Sequence, residues 1–63
     1  MREVKPESPE EELILSLLSQ EPLHIDQLIL WSGLPSQVIN STLLMMEIKG
    51  KIKDVGGKRY VIK

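Results

Sequence analysis

Apolar residues follow two rhythms along this chain, and the change from one to the other falls near Gly50. Between Ser36 and Lys49, the positions Ile39, Thr42, Leu43 and Met46 recur at the i, i+3, i+4, i+7 spacing of a single helical face. This predicts one helix of about four turns. Its opposite side changes character along its length: Gln37, Asn40 and Ser41 in the first half, Leu44, Met45 and Ile48 in the second. Lys49-Gly50-Lys51 closes the segment, with glycine where a left-handed C-cap is wanted and cations at the negative end of the helix dipole.

The same period appears twice upstream. Leu13, Ile14, Leu17 and Leu18 form a buried stripe. Ahead of them Ser8-Pro9-Glu10-Glu11 is a helix start: Ser8 caps, Pro9 fits the first helical position, and Glu11 completes a capping box. Glu10, Glu11 and Glu12 sit at the positive end of the dipole, so the acidic run has a structural purpose and is not read as a ligand site. This helix stops near Ser19, ahead of Glu21-Pro22. Leu23-His24-Ile25 is a short extended piece. Asp26 is the expected cap of a second, short helix, Gln27 to Ser32, which Gly33 ends before Leu34-Pro35 leads into the third. Leu28 and Ile29 face inward with Ile25 and Leu34, while Leu30 and Trp31 point partly outward. Two helices joined around a glycine make a helix-turn-helix.

After Gly50 the period becomes that of strands. Ile52-Lys53-Asp54-Val55 and Arg59-Tyr60-Val61-Ile62 flank Gly56-Gly57-Lys58, which predicts a hairpin. A lone hairpin is marginal in water, so it should pack on the helices, with Leu23–Ile25 as a third strand. The predicted fold is α+β and mainly α: a three-helix winged helix-turn-helix with a C-terminal β-hairpin wing, over residues 8–63. Residues 1–7 are expected as a loose tail or linker remnant.

Composition narrows the function classes. At 63 residues the chain is one small domain, with no cysteine and one histidine, so neither a disulfide framework nor a zinc site is expected. No apolar run has membrane-spanning length and the N-terminus lacks a signal-peptide core, which fits a cytoplasmic protein. No nucleophile–base pair or set of pocket carboxylates emerges, so neither catalysis nor a cofactor is expected. Net charge is −1, but its distribution is uneven. Arg2 and Lys5 face eight acids up to Ile48, whereas Lys49, Lys51, Lys53, Lys58, Arg59 and Lys63 face Asp54 alone. The positive potential therefore gathers at the C-terminal end, where it can attract phosphate.

Several segments together carry a resemblance. They are Pro9-Glu10-Glu11-Glu12-Leu13-Ile14-Leu15, His24-Ile25-Asp26-Gln27-Leu28-Ile29, Gly33-Leu34-Pro35, Leu43-Leu44-Met45-Met46-Glu47-Ile48-Lys49-Gly50-Lys51-Ile52 and Gly56-Gly57-Lys58-Arg59-Tyr60-Val61. From Ser8 onward the chain resembles the C-terminal winged-helix domain of the DprA (Smf) family of DNA-processing proteins. The resemblance implies a role in natural transformation, where family members bind incoming single-stranded DNA and load the RecA recombinase onto it. It also implies that the main activity belongs to a Rossmann-like domain that this chain lacks, making this a terminal module of a longer protein. The helix-turn-helix motifs are common to many winged helices. The more distinctive part is the second half of the third helix, with Leu44 and Ile48 added to its inward face. Leu30 and Trp31 depart from the pattern, standing where a polar or charged pair is more usual. Lys51 and Lys53 make the start of the hairpin basic.

Two site hypotheses follow, each beside a plainer alternative. In the first, Ser36, Gln37, Asn40 and Ser41 front a recognition helix and contact base edges, while Lys49, Lys51, Lys53, Lys58 and Arg59 contact phosphate. Against it, the helix has no cation before Lys49, and the alternative is a solvated helix start. In the second, Leu30, Trp31, Leu44, Met45 and Ile48 form an apolar patch for self-association or for contact with a recombinase or the parent protein. The alternative is that the hairpin covers Leu44 and Ile48. A transcriptional regulator's DNA-binding domain is a further option on fold alone. His24 is read as a strand residue with a satisfied ring, and Tyr60 as packing between the hairpin and the helices.

Overall fold

The computed structural model describes residues 5–63. Its elements run α1 (Pro9–Leu18), β1 (Leu23–His24), α2 (Ile25–Ser32), α3 (Ser36–Ile48), β2 (Ile52–Asp54) and β3 (Arg59–Ile62). The three strands form one antiparallel sheet in the order β1-β3-β2, with Leu23 opposite Tyr60 and Ile52 opposite Ile62. The expected third strand is thus present, and it pairs with the distal strand of the hairpin.

Each boundary has a local cause. Ser8 is extended and its side chain accepts the Glu11 backbone N–H at 3.2 Å, with Pro9 at the first helical position. Gly33 and Gly50 end α2 and α3 at φ 73° and 75°, a region a side chain disfavours. α2 departs from expectation: it begins at Ile25, and its cap is His24 rather than Asp26. The His24 Nδ1 accepts the Asp26 N–H at 3.0 Å, and Gln27 Oε1 accepts the His24 N–H at 3.1 Å. An imidazole thus does what a Ser or Asp side chain does in a capping box. Asp26 lies inside the first turn, where its charge faces the positive end of the dipole.

The core joins one face of every element. Ile14, Leu15 and Leu18 from α1, Leu28 from α2, and Ile39, Leu43 and Met46 from α3 meet Leu23, Ile52 and Tyr60 from the sheet. Leu15 takes a core place assigned to Leu13 and Leu17, and Leu17 packs only partly. Alternation sorts the sheet into two faces. Leu23, Ile52, Tyr60 and Ile62 point to the helices, and His24, Lys53, Arg59 and Val61 share the other side.

Candidate nucleic-acid interface

The wing is shaped by its turn. Asp54 Oδ1 accepts the Gly56 N–H at 2.7 Å, and Val55 donates its N–H to the Arg59 carbonyl at 2.8 Å. Gly56, Gly57 and Lys58 then take positive φ in succession, at 119°, 61° and 62°. Lys58 is the non-glycine residue there, a conformation that costs on the order of 1 kcal/mol. The paired strands on either side hold it, and its carbonyl accepts the Ile25 N–H at 3.0 Å.

Cations collect on the outer side of this sheet. Lys53 and Arg59 are exposed there, Lys58 is exposed in the turn, and Lys63 donates its N–H to the Lys51 carbonyl, one pair beyond the Ile52–Ile62 register. Alternation puts Lys63 on the same side as Arg59 and Val61. Asp54, the one acid between Lys49 and Lys63, belongs by register with buried Tyr60, and its carboxylate is engaged in the turn. The Tyr60 hydroxyl is pushed above its ordinary range by burial, and further by the charges of Glu47 and Asp54.

Two cations expected at phosphate are engaged elsewhere. Lys51 Nζ lies 2.7 Å from Glu11 Oε1, and Lys49 pairs with Glu7 and lies 3.5 Å from Glu11. Glu11 also departs from the expected capping box: its Oε1 accepts the Glu7 N–H at 3.2 Å, not the Ser8 N–H. Burial pushes Glu11 upward, but the hydrogen bonds from Lys51 and Glu7 and the two ammonium charges outweigh it, and its carboxyl ends below the usual range. Glu7 is also lowered, chiefly by the hydrogen bond from Lys49, and Lys49 is raised by the same bond. These four side chains tie the segment before α1 to the end of α3 and the start of β2. In the sequence Glu11 reads as a helix cap alone, because partners 40 residues apart leave no local signal.

The outer stripe of α3 is uncharged. Ser36, Gln37, Asn40 and Ser41 are exposed, as expected of a recognition helix front. However, Asn40 Nδ2 donates to the Ser36 carbonyl at 2.8 Å and Ser41 Oγ to the Gln37 carbonyl at 2.9 Å. The stripe continues into Leu44, Met45 and Ile48. Contrary to the expectation that Leu44 and Ile48 join the inward face or lie under the hairpin, they are 59% and 70% exposed. At about 100° per residue, Ile48 points roughly opposite the centre of the Ile39–Leu43–Met46 face. On α2, Leu30 and Trp31 are also exposed, at 74% and 53%.

Three helices, a helix-turn-helix formed by α2 and α3, and a two-stranded wing backed by β1 define a winged-helix domain. The sequence matches the DprA winged helix domain over residues 2–58 of 63, and the chain belongs to that family. No curated protein and no solved structure gives a significant match. Among the described residues, no helix is long and apolar enough to cross a membrane, and no cluster of three His, Asp or Glu side chains could hold a metal ion.

Proposed function

We propose that this is a non-catalytic, cytoplasmic module of a DNA-processing protein, and that it holds nucleic acid weakly through the sugar-phosphate backbone. The contact is the outer side of the wing: Lys53, Lys58, Arg59 and Lys63. The observation that carries this is the convergence of four exposed cations on one hairpin whose single acid is engaged in its own turn. Lys49 and Lys51 are excluded because their charges serve Glu7 and Glu11. Tyr60 is buried, Trp31 is on α2, and the His24 ring on that face is engaged as the cap of α2, so base stacking is not part of the proposed contact. Phosphate contact without base contact positions a partner but reads no sequence. Family membership supports a DNA-processing context, and on this reading the module assists DNA handling during transformation and recombination.

Fluorescence anisotropy with labelled duplex and single-stranded DNA of equal length, at 50 and 200 mM salt, tests this. Binding should fall steeply with salt and vary little with sequence. Equal affinity at both salts, or none at either, would refute it.

A further inference from the structure

We infer that α3 is the seam of a weak, two-fold symmetric dimer of this chain, the two helices lying antiparallel. Its outer stripe runs from Gln37 through Asn40, Ser41, Leu44 and Met45 to Ile48 without a formal charge, in a chain of which 27% is charged. An uncharged face can meet its own copy with no like-charge repulsion. The apolar side chains also lie towards opposite ends of α3. Leu44, Met45 and Ile48 occupy its last turns, while Leu30 and Trp31 lie in the last turn of α2, with four residues between Trp31 and the first turn of α3. Antiparallel pairing sets the apolar end of one copy beside Leu30 and Trp31 of the other, twice over.

The helix dipole favours the same arrangement. α3 has no acidic residue in its first turn, no basic residue in its last, and no side-chain cap at Pro35. The cation at its C-cap, Lys49, is already paired with Glu7. Neither pole is offset within the helix, so an antiparallel neighbour supplies the opposite pole at each end. Size sets the strength. The chain exposes 4340 Å², and a standard interface takes about 800 Å² from each partner. One 13-residue helix spans only about 20 Å. The seam is therefore smaller than a standard interface, and the dimer is expected to be weak. This inference uses no residue of the wing and does not depend on nucleic-acid binding.

Sedimentation equilibrium of the 63-residue chain from 10 μM to 2 mM tests it, repeated at 1 M salt. A monomer–dimer equilibrium that survives salt is expected. Leu44→Glu and Ile48→Glu, at exposed positions, should each weaken it at least tenfold, with circular dichroism confirming that the helices are retained. Val55→Glu, on the exposed wing, should leave it unchanged. Trp31→Glu and Ile48→Lys should each fail to self-associate, yet pair with one another when mixed. A wild-type chain that stays monomeric at 2 mM overturns the proposal. So does a dimer untouched by Leu44→Glu and Ile48→Glu, one broken by Val55→Glu, or a mixture that does not pair.

Discussion

Lys51 holds the Glu11 carboxylate at 2.7 Å in a place nearly closed to water, their side chains being 12% and 6% exposed. The partners come from opposite ends of the domain, the first turn of α1 and the residue before β2. A pair so shielded is unequal to a surface ion pair, because removing one partner leaves the other desolvated without compensation. Lys51→Met should therefore destabilise the domain by about 2–3 kcal/mol, softened by Lys49 at 3.5 Å. The double variant Glu11→Leu/Lys51→Met should be more stable than Lys51→Met alone. Urea unfolding followed by circular dichroism checks both, and a double variant no more stable than Lys51→Met would show that the pair is not coupled.

Three groups of this cluster, Glu7, Glu11 and Lys49, shape the pH dependence. Glu7 and Glu11 have folded values below the usual 4.5, so the stability they add is present above about that pH and is lost as pH falls through the folded values. Lys49 lies above its usual 10.5, so its contribution is complete below that value and is lost as pH rises past the folded one. Tyr60, raised above 10.0 by burial, works in the same direction on the alkaline side, because unfolding frees its proton. The melting temperature should hold a plateau between about pH 5 and 10 and drop on both sides. Glu7→Gln/Glu11→Gln should flatten the acid limb relative to the wild type. An unaltered acid limb in that variant would assign it to other carboxylates.

His24 closes the start of α2 through its Nδ1, so its role is a cap. Replacing it with alanine should cost about 1 kcal/mol, while asparagine, which also offers a short acceptor, should recover most of the loss. Thermal unfolding of the two variants checks this. Equal losses in both would place the contribution of His24 in its packing instead.

The order of helices and strands was legible because each boundary carries its own chemistry: Ser8-Pro9 at a start, Gly33 and Gly50 at ends, Gly56-Gly57 in the hairpin. Ile39, Leu43 and Met46 announced the inner face of α3 by spacing alone. What the sequence hid was contact between distant parts. Nothing local distinguishes Lys49 and Lys51, held by Glu7 and Glu11, from Lys53 and Lys58, which stand in solvent. Lys63 joins the outer side of the wing by continuing the alternation of Arg59 and Val61, a signal that was available. Leu44 and Ile48 were ambiguous, because an apolar residue on the outer side of a helix obeys no rule until its neighbours are placed. Nothing in the sequence marks His24 as a cap, because imidazole seldom takes that position.

Cation substitution separates the wing from the rest. Lys53→Ala, Arg59→Ala and Lys63→Ala should each weaken DNA binding by up to about fivefold, from exposed contacts of roughly 0.2–1 kcal/mol. Each should also lower the salt slope by about one. Lys49→Ala should change neither beyond what its effect on stability explains. Titrations of the four variants against one duplex give the comparison, and a loss confined to Lys49→Ala would reverse the assignment.

The most direct measurement is an amide chemical-shift map of the chain titrated with a short duplex at low salt. Shifts concentrated in residues 53–63, with α3 and the Glu7–Glu11 segment nearly unmoved, are the predicted result. Shifts centred on Ser36, Gln37, Asn40 and Ser41 with the hairpin silent would contradict the wing as the nucleic-acid contact.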